Sequence, residues 1–193
     1  VSAAGVITSQ QTAARSRVAV LVAVLAGVLL VVGAVGLRFY EPLTWNGYVG
    51  PGGTGATLVD DPIFGSAAVL DGPAGSTATV VYSVRNDGHL PVTVFAPGAD
   101  RTPDDIVDVR WAPVLGPGNT FGGVRPDPEA TSMRVGPGEE VAMWVTVTKS
   151  SCGPGVTTTL DVVPIRWGLF GLTKVQQFEL SPKGPPPLVL CKA

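Results

Sequence analysis

The sequence predicts an all-β protein in which a single N-terminal transmembrane helix is followed by an antiparallel β-sandwich of about seven to nine strands. Three observations carry this expectation. Residues Val18 to Leu37, VAVLVAVLAGVLLVVGAVGL, contain no charge. As a helix rising 1.5 Å per residue, such a run is about 30 Å long, the thickness of a bilayer's hydrocarbon core. The chain has 25 Gly and 18 Pro, scattered so that they punctuate short segments, as turns do in β domains. Between those turns, apolar residues recur at every second position, the period of a half-buried strand.

These features divide the chain into a tail (1–17), a transmembrane helix (18–37), a juxtamembrane flexible connector (38–65) and an extracytoplasmic β-sandwich domain (66–193). The connector owes its expected flexibility to Gly50-Pro51-Gly52-Gly53-Thr54-Gly55. Arg15 and Arg17 precede the apolar run and Arg38 follows it, so the positive-inside rule puts the N-terminus in the cytoplasm and the large domain outside the cell membrane. Phe39, Tyr40 and Trp45 stand where an interfacial aromatic belt is expected. The competing reading is a cleaved signal peptide. Its apolar core would span about 7 to 15 residues; this one is longer, and Ala34-Val35-Gly36 is a poor cleavage site. Both readings export the domain. Ala19, Ala23 and Gly27, four residues apart, share one helix face on which a second helix could pack closely.

Thr79–Arg85 predicts a strand with Val80, Tyr82 and Val84 on one face. Asn86-Asp87-Gly88 marks a turn that draws on positive φ, and Pro91–Phe95 returns as a second strand, in a hairpin or at a corner between sheets. Ile106–Trp111 alternates, with Val107, Val109 and Trp111 on one face. Residues 112–131 are rich in Gly and Pro and read as a long loop. Gly136-Pro137-Gly138-Glu139 is a tight turn that launches Glu140–Thr148, the most regular alternation in the chain. Thr157–Trp167 is a further strand, Phe170-Gly171-Leu172 a hairpin tip, and Thr173–Leu180 its return. Pro182–Pro187 reads as a spacer before a last edge strand, Leu188–Leu190. Tyr82, Trp111 and Trp167 are the expected aromatic core. Two sheets packed face to face would cover the apolar side of each strand.

The passage from Asn86-Asp87-Gly88 through Pro91-Val92-Thr93-Val94 to Gly136-Pro137-Gly138-Glu139 and its following strand resembles bacterial extracytoplasmic immunoglobulin-like and fibronectin-III-like modules. The likeness spans about Ser76 to Thr148. It implies an Ig-like sandwich and a role in adhesion, spacing or subunit contact. The Lys-poor, Val/Ala/Gly/Pro-rich composition is similar to that of membrane-anchored actinobacterial proteins. The chain departs from the antibody-type pattern, because its cysteines do not flank a Trp at the usual spacing.

Cys152 and Cys191 are the only two cysteines. In an oxidising compartment an even count reads as a disulfide, closing a loop of about 40 residues and contributing about 3–4 kcal/mol in the chain-entropy model. No CxxC motif points to redox exchange instead. His89 is the only histidine, and no G-x-S-x-G elbow accompanies it, so a Ser-His-Asp triad is not expected. Asp100, Asp104, Asp105 and Asp108 cluster without EF-hand spacing, and read as solvated loop charges rather than calcium ligands. Met133, Met143, His89 and the two cysteines are residue types that bind copper, the sulfur ligands being soft enough for Cu(I), but Met143 falls on the apolar face of the best strand. After the apolar run the chain carries 11 basic and 15 acidic residues, a net charge of −4, which argues against nucleic acid as a partner.

The expected protein is therefore a non-enzymatic, membrane-anchored cell-envelope protein without cofactor, catalytic residue or metal site. Its partners are the lipid bilayer and an envelope protein or the cell wall, contacted through edge strands and the loop Pro113–Pro128. Two other expectations stand beside it: an accessory subunit of a larger membrane complex held through Ala19, Ala23 and Gly27, and an extracytoplasmic metal- or small-ligand-binding protein.

Overall fold

Helix α1, Gly5–Phe39, begins well before the apolar run. Residues 5–17, expected only as a tail before the span, contain no Pro, and their Ala, Gln and Arg residues are good helix formers, so the helix continues through them. Its segment Ala19–Phe39 is long and apolar enough to cross a membrane. Val20, Leu21, Val24, Leu25, Val28, Val31, Val32 and Val35 are all exposed, so this stretch is apolar around its whole circumference. The computed structural model describes residues 5–53, 55–62, 65–96, 105–114, 130–149, 151, 153–181 and 184–191. The chain divides into a helical unit, Val1–Glu41, and a β unit, Pro42–Ala193.

The β unit holds three four-stranded sheets. The first contains β1 (Leu43–Pro51), β4 (Thr77–Asn86), β8 (Glu140–Thr148) and β6 (Ile106–Pro113), adjacent in that order and all antiparallel. The second is ordered β11 (Leu172–Glu179), β10 (Val162–Leu169), β5 (Val92–Phe95) and β7 (Ser132–Val135), also antiparallel throughout. The third is ordered β2 (Ala56–Asp61), β3 (Gly65–Leu70), β12 (Leu188–Cys191) and β9 (Thr158–Leu160). In it β3 and β12 run parallel, so the domain is antiparallel-rich rather than purely antiparallel. The described residues form twelve strands, more than the seven to nine expected: β1 and β2 lie in the stretch read as a connector, β3 starts at its last residue, β7 follows the stretch read as a long loop, and Thr157–Trp167 is split.

That connector is the largest correction. β1 pairs along β4 from Leu43↔Asn86 to Pro51↔Val80, and β2 pairs with β3 over its full length. Gly52 donates its N–H to the Thr79 carbonyl at 2.7 Å. A Cβ at Gly52 would lie 2.7 Å from Thr79 Cγ2 and 3.0 Å from the Trp144 ring, so glycine here lets the backbone lie against those side chains. Glycine enrichment signalled close approach, not a loose tether.

The first and second sheets share the core that the sequence predicts. Tyr82, Trp111 and Trp167 are all buried. The Tyr82 ring meets Phe178 edge to face, 6.1 Å between centroids. β4 passes to β5 at a corner between sheets, settling the hairpin-or-corner alternative. Val81 and Ser83, expected on an outer face, are buried as well; Val81 joins Ala112, Ala142 and Trp144 in a smaller apolar cluster against which Val114 packs. In β6 the register shifts between Ile106 and Asp108. This bulge turns Val107 out to solvent and Ile106 inward, the reverse of their expected faces.

Thr157–Trp167 divides at the exposed Asp161 into β9 and β10, which belong to different sheets. Asp161 still accepts the Leu180 N–H at 2.7 Å. β12, expected at an edge, lies between β3 and β9. Of the expected proline spacer, Pro182 and Lys183 lie outside the described residues, while Pro185, Pro186 and Pro187 are buried. A proline has no N–H to satisfy, only a carbonyl. Each of these carbonyls has a donor: Ser181 N for Pro185 at 2.8 Å, the Tyr82 hydroxyl for Pro186 at 2.9 Å and Ala68 N for Pro187 at 3.1 Å. Burial pushes the Tyr82 hydroxyl well above the usual tyrosine range, which keeps it a neutral donor.

Gly52→Ala is expected to destabilise the β unit by about 1–3 kcal/mol through overpacking against Thr79 and Trp144. Urea denaturation of the variant beside the parent chain measures this; an unchanged midpoint would show that the contact relaxes freely.

Candidate functional site

The end of the β unit at which the chain enters is built from backbone groups that must be satisfied as the strand begins. β1 is an edge strand, and its first residue, Leu43, is buried. Gln176, on β11 of the other sheet, is buried and turned toward it. Its Nε2 donates to the Leu43 carbonyl at 2.6 Å, and its Oε1 accepts the Leu43 N–H at 3.3 Å. One side-chain amide thus takes the place of a neighbouring strand. The preceding carbonyl, of Pro42, accepts the Asp87 N–H at 2.8 Å. Thr44 Oγ1 donates to Asp87 Oδ2 at 2.6 Å, and Arg85 Nε pairs with Asp87 Oδ1 at 3.1 Å.

Asn86 joins this entry end to the second sheet. It is fully buried. Its Nδ2 donates to the carbonyls of Leu90 at 2.9 Å and Val135 at 3.0 Å, and its Oδ1 accepts the Gly88 N–H at 3.0 Å. Its own N–H reaches the Glu139 carbonyl, and its carbonyl accepts the Gly138 N–H. The turn does not use positive φ at Asn86, Asp87 or Gly88, contrary to expectation. The Asn side chain folds the turn instead, by capping the N–H two residues on. Gly136–Glu139 is the expected tight turn, closed from Glu139 N to the Gly136 carbonyl at 3.1 Å.

Register carries the same end across to the β10–β11 hairpin. Val135 pairs with Val92, Thr93 with Gly168, and Leu169 with Leu172. The tip Leu169-Phe170-Gly171-Leu172 therefore lies at the entry end, as does Leu90. Phe170 is 80% exposed, Leu172 60% and Leu90 39%. Phe170 has φ 51° and Gly171 φ 81°, the two positive values of a type I′ turn. Asn or Gly is favoured at the first of these positions, and an L-residue with a bulky side chain costs about 1–2 kcal/mol there. No described residue between Asp161 and Glu179 is acidic. The hairpin carries Arg166, whose guanidinium lies 5.4 Å over the Phe95 ring, and Lys174, whose ammonium lies 5.9 Å from the Trp167 ring.

The residues singled out from sequence fall elsewhere. Ala19, Ala23 and Gly27 are exposed on α1. Trp45, placed in an aromatic belt from sequence, is half-buried in β1 opposite Val84. Cys191 is buried in β12 and is not a free thiol; its Sγ lies 3.6 Å from the Val156 carbonyl oxygen. Cys152, its expected partner, lies outside the described residues. So do Asp100, Asp104 and residues 115–128 of the expected contact loop. Asp108 pairs with Arg110 at 2.6 Å. His89 is exposed in the turn after β4, Met133 is half-buried on β7 and Met143 is buried in β8. Among the described residues no three His, Cys, Asp or Glu side chains gather where they could hold a metal ion. Gln176 and Asn86, the residues that organise the entry end, escaped sequence reasoning as a pair; the one available signal was a polar residue at the inward position of an alternating strand. No protein-family model and no curated protein matches the chain.

Two substitutions test this geometry. Gln176→Ala leaves both backbone groups of Leu43 without their partner and is expected to cost about 1–3 kcal/mol, with faster amide exchange at Leu43 and unchanged protection at Val145. Phe170→Asn is expected to raise the unfolding midpoint, by up to about 1 kcal/mol, because Asn tolerates the left-handed conformation and the exposed ring gives up no burial.

Proposed function

We propose that this chain is a single-pass, membrane-anchored cell-envelope protein without catalytic activity, whose exported immunoglobulin-like β domain contacts another envelope protein or the cell wall. The observation that carries the reading is the continuity of an apolar helix of membrane-spanning length with a β unit that begins three residues after the helix ends. A helix apolar on every side belongs in an apolar solvent. Arg15 and Arg17 before the span favour a cytoplasmic N-terminus. The sandwich reading is supported by the passage of the chain between the first and second sheets at β4–β5, β5–β6, β6–β7 and β7–β8, with the third sheet as an addition to that core. An exported location makes Cys152–Cys191 a disulfide that secures the last strand. The domain then works as a contact module into which Leu43–Pro51 and Ala56–Asp61 are folded as β1 and β2.

External protease added to intact cells is expected to digest the β domain and spare an epitope placed before Gly5. Protection of the domain with loss of the epitope would reverse the orientation, and release of the mature domain from membranes by alkaline carbonate would replace the anchor with a cleaved leader. Denatured, unreduced chain should show no maleimide-reactive thiol and the reduced chain two. Cys191→Ser should cost about 3–4 kcal/mol if the bond closes the long loop.

A further inference from the structure

We propose that Asn46-Gly47, in β1, is a site of spontaneous deamidation, and that the carboxylate produced there loosens the hold of β1 on the first sheet. Water is the only co-reactant, and the product is an acid beside Glu140.

The chemistry is local. The backbone nitrogen of Gly47 attacks Cγ of Asn46. The N–Cγ bond forms, the Cγ–Nδ2 bond breaks, and the proton of the Gly47 N–H leaves with Nδ2 as ammonia. Water then opens the cyclic imide. Opening at Cγ gives aspartate; opening at the backbone carbonyl of residue 46 gives isoaspartate, in which the main chain runs through Cβ and Cγ. Glycine in second place favours the attack, because no Cβ shields its nitrogen. Of the asparagines in the chain, Asn46, Asn86 and Asn119, only Asn46 precedes a glycine.

The fold leaves this dipeptide accessible. Asn46, Gly47 and Tyr48 stand in the gap of the β1–β4 register, between Trp45↔Val84 and Val49↔Tyr82, opposite Ser83 alone. Residues in such a bulge have left the ladder, so ring closure there asks nothing of the paired residues on either side. Asn46 and Gly47 are both exposed. A Cβ built on Gly47 would meet nothing within 4 Å, and its φ is 85°. Asn86 is the contrast: it is buried, its side chain is bonded to Leu90, Val135 and Gly88, and Asp87 follows it.

One contact restrains Asn46 and gives the modification its consequence. Nδ2 donates to Glu140 Oε2 at 2.6 Å, while the Ser83 hydroxyl donates to Glu140 Oε1. A single carboxylate on β8 thus ties β1 to β4 across the bulge. Arg85, opposite Glu140 in register, has its guanidinium on Asp87. Deamidation removes the donor from position 46 and sets a second carboxylate against the first, where like charges repel. Isoaspartate also lengthens the backbone of the bulge. Either product takes away the tie of β1 to Glu140.

The test incubates the full chain, folded in detergent micelles, at neutral pH in heavy-oxygen water, then digests it with trypsin in ordinary water. The peptide Phe39–Arg85 carries Asn46 as its only asparagine, and Asn86–Arg101 carries Asn86. The first is expected to gain heavy oxygen progressively and to separate into aspartate and isoaspartate forms, and the second to stay unchanged. Glu140→Gln replaces a charge-assisted bond by a neutral one about half as strong, and should speed the conversion several-fold. Asn46→Asp should lower the urea midpoint and speed amide exchange at Trp45 and Val49, with exchange at Val92 on the second sheet unchanged. Conversion confined to urea-unfolded chain would overturn the site and show that the Glu140 bond seals it. Conversion in the folded chain, with the parent's midpoint and exchange retained in Asn46→Asp, would overturn the loosening of β1.

Discussion

A single side-chain amide decides where the β unit starts. Gln176 meets both backbone groups of Leu43, and the edge of the first sheet is thereby closed against the second. Without that partner the first residue of β1 would carry a donor and an acceptor into a buried position unpaired, at a cost comparable to the whole gain of starting a strand there. With it, the strand begins four residues after the helix ends. The pairing of Leu43, Thr44 and Trp45 with β4 and the bonds of Pro42 and Thr44 to Asp87 share the register found at this point; between Trp45 and Val49 the register shifts, and the later half of β1 brings Gly52 over Thr79 and Trp144.

The same demand, that each polar group taken from water be met, recurs at the other seams between sheets. Asn86 satisfies two carbonyls and one N–H with its side chain, where β4 leaves the first sheet and β7 returns to it. The proline run needs no donors of its own, and its three carbonyls are met from three directions, one of them by Tyr82. The Tyr82 ring also fills the core against Phe178. One residue thus links the first sheet to the second by packing and to the C-terminal segment by a hydrogen bond. Apolar burial drives the sheets together, while these few polar contacts select which edges meet.

The functional end follows from this arrangement. The chain enters, β4 turns and the β10–β11 hairpin closes at one end of the unit, so its largest exposed apolar side chains lie beside the point where the helix is attached in sequence.

The amino-acid pattern alone determined the apolar helix, the alternating strands β4, β8 and β11, the tip at Phe170-Gly171-Leu172 and the burial of Tyr82, Trp111 and Trp167. These follow from local rules: a continuous apolar run of bilayer length, a two-residue period, a turn dipeptide and the size of an aromatic ring. Tertiary structure decided what local rules leave open. Gly50–Gly55 reads as flexible because glycine permits both mobility and close contact, and only Thr79 and Trp144 across the sheet choose between them. Val107 lies on the face opposite to the one its alternation implies because a bulge changes the phase of a strand without leaving a mark in composition. Pro185–Pro187 reads as a spacer because a run without N–H groups cannot join a ladder as donor, yet the same lack makes it easy to bury once carbonyl partners arrive from elsewhere. Gln176 has the clearest reason of all: its two partners are the backbone groups of a residue 133 positions away, and no period or motif in a sequence can express a contact that exists only when two sheets have met.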